Sequence, residues 1–250
     1  MKGRRLVLWR HGRTEWNATK RFQGQSDTPL DEVGHAQAER AAKLLSELEP
    51  SKLAASDLQR AHDTARYLSA ITGLPIQTHQ GLRETGAGAW EGLYQHELVS
   101  KYADQLRAWV LGEDVVPGET GEKRTVVAAR MRAAIDELLA DVPEDGVLVV
   151  TTHGGAARAV TGSLLELPVK YWAAFGGLAN AAWTVLSEPH PRFAPPGAWD
   201  ANTFSQNVDD SAEPKTSSNE ISSNRPKSGP WRLIEYNAGS LPEPVIGDDR

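Results

Sequence analysis

The chain has 250 residues, of which 40% are hydrophobic, carries a formal net charge of -6 and contains no cysteine. This length and composition predict one domain with a sizeable core, and the acidic balance argues against a nucleic-acid partner, because clustered lysine and arginine bind phosphate backbones. The lack of cysteine excludes disulfides, zinc–thiolate sites and cysteine nucleophiles. No apolar stretch approaches the ~18 residues of a membrane span, so we expect a cytoplasmic protein with no membrane partner.

Strand and helix patterns alternate along the chain, which predicts a three-layer α/β/α fold with a mostly parallel central sheet. In chain order we predict a strand at 6–9, a polar loop at 14–29, a helix capped by Asp31, a strand at 52–55, a helix at 57–69, a weak strand at 75–77, helices at 94–112 and 120–139, a strand at 147–152, a helix at 156–165, and strands at 181–186 and 231–236. The inward-facing residues expected in the helix at 120–139 are Val126, Ala129, Ala133 and Leu138.

The domain is expected to comprise residues 1–187 and 231–238. Between these parts, residues 188–230 are rich in proline, serine, asparagine and aspartate. Such a segment buries too little apolar surface to offset the entropy of ordering it, so we predict a disordered or irregular insert. Residues 239–250 are expected to form a loose C-terminal tail.

Two histidines follow apolar strands and precede glycine. His11 ends the first strand, and His153 ends the strand at 147–152 and is followed by Gly154 and a helix. Ligands of open α/β sheets bind at the carboxyl ends of strands, so these two side chains are candidates for one site. The free N–H groups at the start of the helix favour an anion such as phosphate. The remaining histidines are expected to be ordinary surface or core residues: His35, His62, His79, His96 and His190.

Two arginines and one acid complete the candidate site. Arg10 adjoins His11, and Arg60 lies early in the helix after the strand at 52–55, so both are predicted at the same sheet edge. A planar guanidinium donates paired hydrogen bonds to phosphoryl oxygens. Glu84 lies in a glycine-punctuated loop and is the candidate for protonating a leaving alkoxide.

Other catalytic motifs are incomplete or absent. His96 and Glu97 begin like the zinc-protease pattern, which lacks its second histidine here, and Gly86-Ala87-Gly88 lacks the last glycine of a dinucleotide fingerprint. Neither a G-x-S-x-G elbow nor a G-x-x-x-x-G-K-[ST] loop occurs. A serine hydrolase and a nucleotide kinase are therefore poor interpretations.

Five ordered motifs resemble the histidine phosphatase superfamily, the phosphoglycerate-mutase-like group. They are L-W-R-H-G-R-T-E-W-N at 8–17 with R-F-Q-G at 21–24, P-L-D-E-V-G-H-A-Q-A at 29–38, S-D-L-Q-R-A-H-D-T-A at 56–65, L-R-E-T-G-A-G-A-W-E-G at 82–92 and T-H-G-G at 152–155. The resemblance covers about residues 4–187 and resumes at the last strand.

The resemblance implies a phosphohistidine mechanism without metal or cofactor. His11 would accept the phosphoryl group, Glu84 would act as acid and then base, and His153 would help to hold the phosphoryl oxygens. The residues implied or predicted to bind phosphate or substrate are Arg10, Asn17, Gln23, Gly24, Arg60 and Gly154. The implied partner is a small phosphorylated substrate, and family members are often homodimers.

Within this family, hydrolysis competes with phosphoryl transfer by a mutase. Glycolytic mutases usually place an Arg-His-Tyr cluster after the acid, whereas Glu84 is followed here by Thr85 and Gly86, and Gly88-x-Trp90-Glu91-Gly92 resembles the phosphatase branch. We therefore favour a phosphatase, with a mutase and a broad-specificity phosphomonoesterase as alternatives. A non-catalytic metabolite-binding member is disfavoured, because both histidines, both arginines and the acid are present.

Overall fold

The computed structural model describes residues 3–188 and 231–239. Its strands are β1 (Arg5–Arg10), β2 (Lys52–Ala55), β3 (Ile76–Thr78), β4 (Val147–Thr152), β5 (Trp183–Ser187) and β6 (Arg232–Ala238). Its α-helices are α1 (Glu15–Ala18), α2 (Glu32–Ser46), α3 (Gln59–Thr72), α4 (Gln95–Lys101), α5 (Ala103–Val110), α6 (Arg124–Leu139) and α7 (Gly154–Leu164). Short 3-10 helices cover Gln80–Leu82, Gly88–Trp90 and Val169–Ala174. The insert predicted at 188–230 and the tail predicted at 239–250 lie, apart from Glu188 and Gly239, outside the described residues and stay predictions.

The strands form one sheet in the order β3-β2-β4-β1-β5-β6. The first four of these are mutually parallel, while β5 runs antiparallel to β1 and β6 antiparallel to β5. In the centre of the sheet Arg10 of β1 pairs with Thr152 of β4. The residue that follows each of these two strands is a histidine, so the pairing register alone brings His11 and His153 to the same edge of the sheet.

Alternating side chains of β1 pack against two helical layers, which confirms the predicted α/β/α architecture. Leu6 and Leu8 belong to the core on the α6 and α7 side, and Val7 and Trp9 belong to the core on the α2 side. All four are fully buried. Because strand side chains alternate between faces, a continuous apolar run is what a strand covered on both faces requires.

A third apolar cluster lies beside the sheet edge and is built around Trp90. Trp90 is fully buried and packs with Leu98, while Phe22 and Trp109 meet its ring edge-on at centroid distances of 5.6 and 5.9 Å. The helices α4 and α5 thus pack against the loop that carries Glu84. This cluster places aromatic side chains next to the ends of β1 and β4.

The prediction of one helix at 94–112 is wrong in one respect, because the chain forms two helices that meet at Tyr102. This residue leaves the helical region, with φ -132° and ψ 32°, and its ring lies 6.1 Å from that of Trp90. No glycine or proline occurs at the break, and the helical spacing of apolar residues continues through it, so the sequence gives no sign that the helix is interrupted. Likewise, the polar loop predicted at 14–29 contains α1, which Thr14 caps by accepting a hydrogen bond from the Asn17 N–H at 3.2 Å.

The predicted inward face of α6 is also wrong for three of four residues. Val126, Ala129 and Ala133 are exposed, and only Leu138 is buried as expected. The helix begins at Arg124 rather than 120, and its buried residues include Val127, Ala128, Met131, Ala134, Ile135, Leu138 and Leu139. Small apolar side chains occur on nearly every side of this helix, so two helical phases fit its sequence equally well. In the part of the chain described, no helix is long and apolar enough to cross a membrane.

Candidate active site

A cavity of about 210 Å³ lies at the carboxyl ends of β1 and β4. Seven of the nine residues predicted for the site line it: Arg10, His11, Asn17, Gln23, Gly24, Arg60 and Glu84. The other two, His153 and Gly154, do not line it, although the ring of His153 lies 5.2 Å from the ring of His11. The structure therefore brings together residues that are far apart in the sequence, as the motifs predict.

The His11 ring is held in one orientation by its two nitrogens. Nδ1 lies 2.7 Å from the carbonyl oxygen of Gly12, and Nε2 lies 3.3 Å from the donor Nε of Arg60. A carbonyl can only accept, so the proton belongs on Nδ1 and the lone pair on Nε2. The lone pair of Nε2 is the group that can attack phosphorus, and it lies next to the guanidinium that would hold the phosphoryl oxygens.

Both histidines have a pKa well below the ordinary histidine value. Burial is the main cause in each case, and the positive charges of Arg60 and Arg10 lower the pKa of His11 further. Arg60, His11 and Arg10 act on His153 in the same direction. A lowered pKa keeps the imidazole of His11 neutral near pH 7, which is the form that has a nucleophilic lone pair.

Arg60 is fully buried and holds the loop that follows α1. Its Nη1 donates to the carbonyl of Ser26 at 2.7 Å and its Nη2 donates to the carbonyl of Gly24 at 2.8 Å. Burial lowers its pKa to about 10, so the guanidinium remains charged at neutral pH. Arg10 is also buried, and its Nη1 donates to the carbonyl of Leu178. Two buried cations thus lie beside the ring of His11.

Asn17 and Gln23 are joined through Thr14. The Thr14 hydroxyl lies 3.1 Å from Asn17 Oδ1 and 3.0 Å from Gln23 Oε1. Asn17 Oδ1 also accepts from the amide of Asn180 at 3.2 Å, and Gln23 Oε1 accepts from Thr28 at 2.7 Å. Because these contacts use the amide oxygens, each side chain keeps an NH₂ donor for an anion in the cavity.

The carboxylate of Glu84 occupies the N-terminus of α7. Its Oε1 accepts from the N–H groups of Thr85 at 2.7 Å and Ala156 at 2.8 Å, and its Oε2 accepts from Gly155 at 3.0 Å. The helix N–H groups expected to be free for phosphate are therefore used, in part, by the acid itself. Gly154 is not among these donors, and its phosphate contact stays a prediction.

Arg130 and Glu122 fix the loop that carries Glu84. Arg130 donates to the carbonyls of Gly81 and Arg83 at 2.9 and 2.7 Å and to that of Glu84 at 2.7 Å. Its other donors meet the Glu122 carboxylate at 2.8 Å, and Glu122 accepts the Gly86 N–H at 2.7 Å. The acid is thus anchored by backbone contacts on both sides, which the sequence reasoning did not predict.

His153 lies behind the cavity wall, fully buried. Among the described residues neither of its ring nitrogens has a hydrogen-bond partner. An unpaired buried polar group costs about 1–3 kcal/mol, so this position is stabilised when a ligand supplies the missing partner. The contact of His153 with a phosphoryl oxygen stays a prediction.

The cavity also has walls that sequence reasoning missed. Its other lining residues are Trp16, Lys20, Arg21, Phe22, Thr85, Gln95, Leu98, Leu106, Trp109, Val110, Arg124, Gly155, Arg158, Ala159 and Trp172. Trp16, Arg21 and Phe22 lie within the motifs at 8–17 and 21–24, although no role was predicted for them. Lys20, Trp109, Arg124 and Arg158 lie outside every motif quoted above, so nothing in the sequence distinguishes them from surface residues. In the described ranges, no group of three or more histidine or acidic side chains could hold a metal ion.

Comparison with known proteins decides the family. Residues 6–195 match the family described as histidine phosphatase superfamily (branch 1). The chain belongs to the histidine phosphatase superfamily. Within it, the chain is 42% identical over 194 residues to a glucosyl-3-phosphoglycerate phosphatase of Mycobacterium tuberculosis, covering 75% of this chain and 86% of that protein.

Two further histidine phosphatases agree with this match. A glucosyl-3-phosphoglycerate phosphatase of Mycolicibacterium vanbaalenii is 38% identical over 205 residues, which cover 80% of this chain and 91% of the relative. The solved structure of a mycobacterial glucosyl-3-phosphoglycerate phosphatase in complex with VO3 superposes with a TM-score of 0.76 at 36% identity, covering 94% of this chain and 99% of that one. The likeness extends over the whole fold described above.

We expect Gly155→Ala to lower the turnover of this histidine phosphatase by about 10-fold or more. A Cβ at this position would lie 2.8 Å from Oε1 of Glu84, so the carboxylate would have to move. A small misplacement of a catalytic group has a large effect on rate. The measurement is steady-state phosphate release, with Gly176→Ala as control, because a Cβ there meets nothing within 4 Å. Equal rates for the two variants would contradict the assigned position of the acid.

Proposed function

We propose that this histidine phosphatase hydrolyses glucosyl-3-phosphoglycerate to glucosylglycerate and phosphate through a phosphohistidine on His11. The observation that carries the chemistry is the cavity in which His11, Arg10, Arg60 and Glu84 converge. The substrate is taken from the curated relatives and from two stretches, 167–172 and 175–183, that resemble glucosyl-3-phosphoglycerate phosphatases. The homodimer implied by the resemblance and the cytoplasmic location expected from the lack of a long apolar stretch stay predictions.

In the first step, the Nε2 lone pair of His11 forms a bond to phosphorus while the bond to the ester oxygen breaks. The phosphoryl oxygens replace the contact between Nε2 and Arg60, and Arg10, Arg60 and His153 stabilise their charge. Glu84 gives its proton to the leaving alkoxide. Oε2 accepts only one N–H bond in the structure, so it has room for that proton.

In the second step, Glu84 acts as the base. It removes a proton from a water molecule, whose oxygen attacks phosphorus as the bond to His11 breaks. Inorganic phosphate leaves, and His11 and protonated Glu84 are regenerated. The reaction needs no group beyond this chain, the ester and water.

Transfer to a second phosphoglycerate is the competing outcome for the same phosphohistidine. We favour hydrolysis because Glu84 is followed by Thr85 and Gly86 and not by the Arg-His-Tyr cluster usual in glycolytic mutases. The backbone N–H of Thr85 donates to the carboxylate, and that of Gly86 donates to Glu122. These residues therefore act as supports of the acid.

The proposal is tested by ranking phosphate esters by kcat/KM. We expect glucosyl-3-phosphoglycerate to exceed 3-phosphoglycerate, phosphoserine and glucose 6-phosphate, with one phosphate released per ester consumed. Interconversion of 2- and 3-phosphoglycerate faster than phosphate release would establish a mutase instead. A flat ranking across the panel would establish a broad-specificity phosphomonoesterase.

A further inference from the structure

The charge of the cavity wall exceeds what a phosphate ester requires. Among the described residues, Glu84 is the one carboxylate that lines the cavity. Six basic side chains line it: Arg10, Lys20, Arg21, Arg60, Arg124 and Arg158. The chain as a whole has a net charge of -6, so this concentration of positive charge is local. Arg10 and Arg60 lie beside His11 and account for the phosphoryl dianion. The remaining cations indicate a substrate with a second negative charge.

Arg124 is the most deeply buried of these additional cations. It is the first residue of α6, is only 5% exposed, and its Nη2 donates to the carbonyl of Trp109. Its guanidinium lies 4.2 Å from the centroid of the Trp109 ring, a cation–π geometry. A guanidinium fixed on both its edge and its face loses little further freedom when it binds an anion, which favours selective recognition.

Arg158 also lines the cavity, on the helix whose N-terminus contacts the acid. Gly155, Arg158 and Ala159 of α7 all line the cavity, as residues three and four apart on one helix face do. Gly155 donates to Glu84, and the three residues from Gly155 to Arg158, at ~1.5 Å each, put the Arg158 position ~4.5 Å farther along α7. The carboxylate of a phosphoglycerate is joined to its ester oxygen by a short carbon chain and can span this separation.

We propose that Arg124, together with Arg158, forms a carboxylate-binding subsite that selects phosphoesters carrying a second anion next to the phosphate. This inference rests on the proposed function, which places the phosphoryl group at His11 and the leaving oxygen at Glu84. The subsite binds the carboxylate while Arg10 and Arg60 bind the phosphate. The ester oxygen is thereby held between His11 and Glu84. Neutral sugar phosphates make the phosphate contacts but not this one, so they are expected to be poor substrates.

The test compares glucosyl-3-phosphoglycerate with its carboxyl methyl ester. We expect the wild type to hydrolyse the free acid with a kcat/KM about 10- to 100-fold higher, as is typical for a charge-assisted hydrogen bond. Arg124→Gln should remove this preference by lowering kcat/KM for the free acid, while the methyl ester changes by no more than about twofold. Arg124→Lys, which keeps the charge without the planar fork, should give an intermediate preference.

Lys123→Gln is the matched control, because it removes one positive charge from the residue next to Arg124 but from an exposed position outside the cavity lining. It should retain the preference for the free acid. Equal losses for both esters in Arg124→Gln, or no loss for either, would overturn the subsite. Arg158→Gln supplies the same comparison if Arg124→Gln does not fold, as judged from its melting temperature.

A binding measurement separates failure of this inference from failure of the proposed function. If the wild type hydrolyses neither ester, the proposed function is wrong, and the subsite is then tested by titration calorimetry with 3-phosphoglycerate and glycerol 3-phosphate. The subsite predicts about 10-fold tighter binding of the carboxylate compound by the wild type and equal binding by Arg124→Gln. Equal affinities in the wild type would overturn it.

Discussion

Replacement of His11 by alanine is expected to abolish phosphate release, with a fall in kcat of about 10⁴- to 10⁶-fold, the range typical of removing a catalytic nucleophile. The imidazole of His11 lines the cavity, is neutral near pH 7 and lies next to the buried guanidinium groups of Arg60 and Arg10. Its burial and the charges of Arg60 and Arg10 lower its pKa and keep it in that form. Without it, water would have to attack the ester directly.

The measurement is phosphate release from glucosyl-3-phosphoglycerate under saturating substrate. His35→Ala is the control, because this exposed side chain contacts Tyr67 at the protein surface, with a ring nitrogen 3.0 Å from the Tyr67 hydroxyl. We expect the control to keep the wild-type rate. A His11→Ala enzyme within about 10-fold of the wild-type kcat would show that another group attacks phosphorus.

Replacement of Glu84 by glutamine is expected to lower kcat by about 10²- to 10⁴-fold, as removal of a general acid does. Glutamine preserves the size of the side chain, and its one oxygen can still accept from Thr85 and Ala156, while the bond from Gly155 to Oε2 is lost. Neither change touches the arginines beside His11, so ligand binding should change little. The proton is what is lost. An alkoxide is a poor leaving group, and its departure from phosphorus therefore depends on Glu84.

The dependence on the leaving group separates the acid role from the base role. With p-nitrophenyl phosphate, whose phenolate leaves without a proton, Glu84→Gln should release a burst of p-nitrophenol equal to the enzyme and then turn over slowly, because the phosphohistidine still awaits activated water. Glu39→Gln is the control, since that carboxylate pairs with Lys43 on the exposed side of α2. A loss of affinity as large as the loss of kcat would show that Glu84 is structural.

The parts of the site that the sequence predicts are those determined locally. His11 and His153 follow apolar strands, and the parallel pairing of β1 with β4 brings two such strand ends together. Arg60 is predicted for the same reason, because α3 begins just after β2. In each case an apolar run that is followed by a polar side chain is enough for the prediction, because the carboxyl ends of parallel strands lie together at one edge of the sheet.

The parts that could not be predicted depend on contacts between distant segments. Trp109 and Arg124 line the cavity because α5 folds back over Trp90 after a break at Tyr102 that no residue type announces. Packing against α7 and the sheet determines which face of α6 is buried, whereas the sequence of α6 alone fits two different buried faces. The N–H partners of Glu84 arise where a loop meets a helix about 70 residues later in the chain. Local periodicity carries no information on such pairings.

The proposed hydrolysis requires that His11 carry the phosphoryl group between the two steps. Phosphoryl-labelled p-nitrophenyl phosphate, whose phenolate leaves without a proton from residue 84, should be mixed with Glu84→Gln enzyme, quenched without acid, and the protein digested for peptide mapping. We expect acid-labile, base-stable phosphate on the peptide containing His11, in an amount approaching one per chain. Label on any other residue, or none from an enzyme that still forms product, would contradict it.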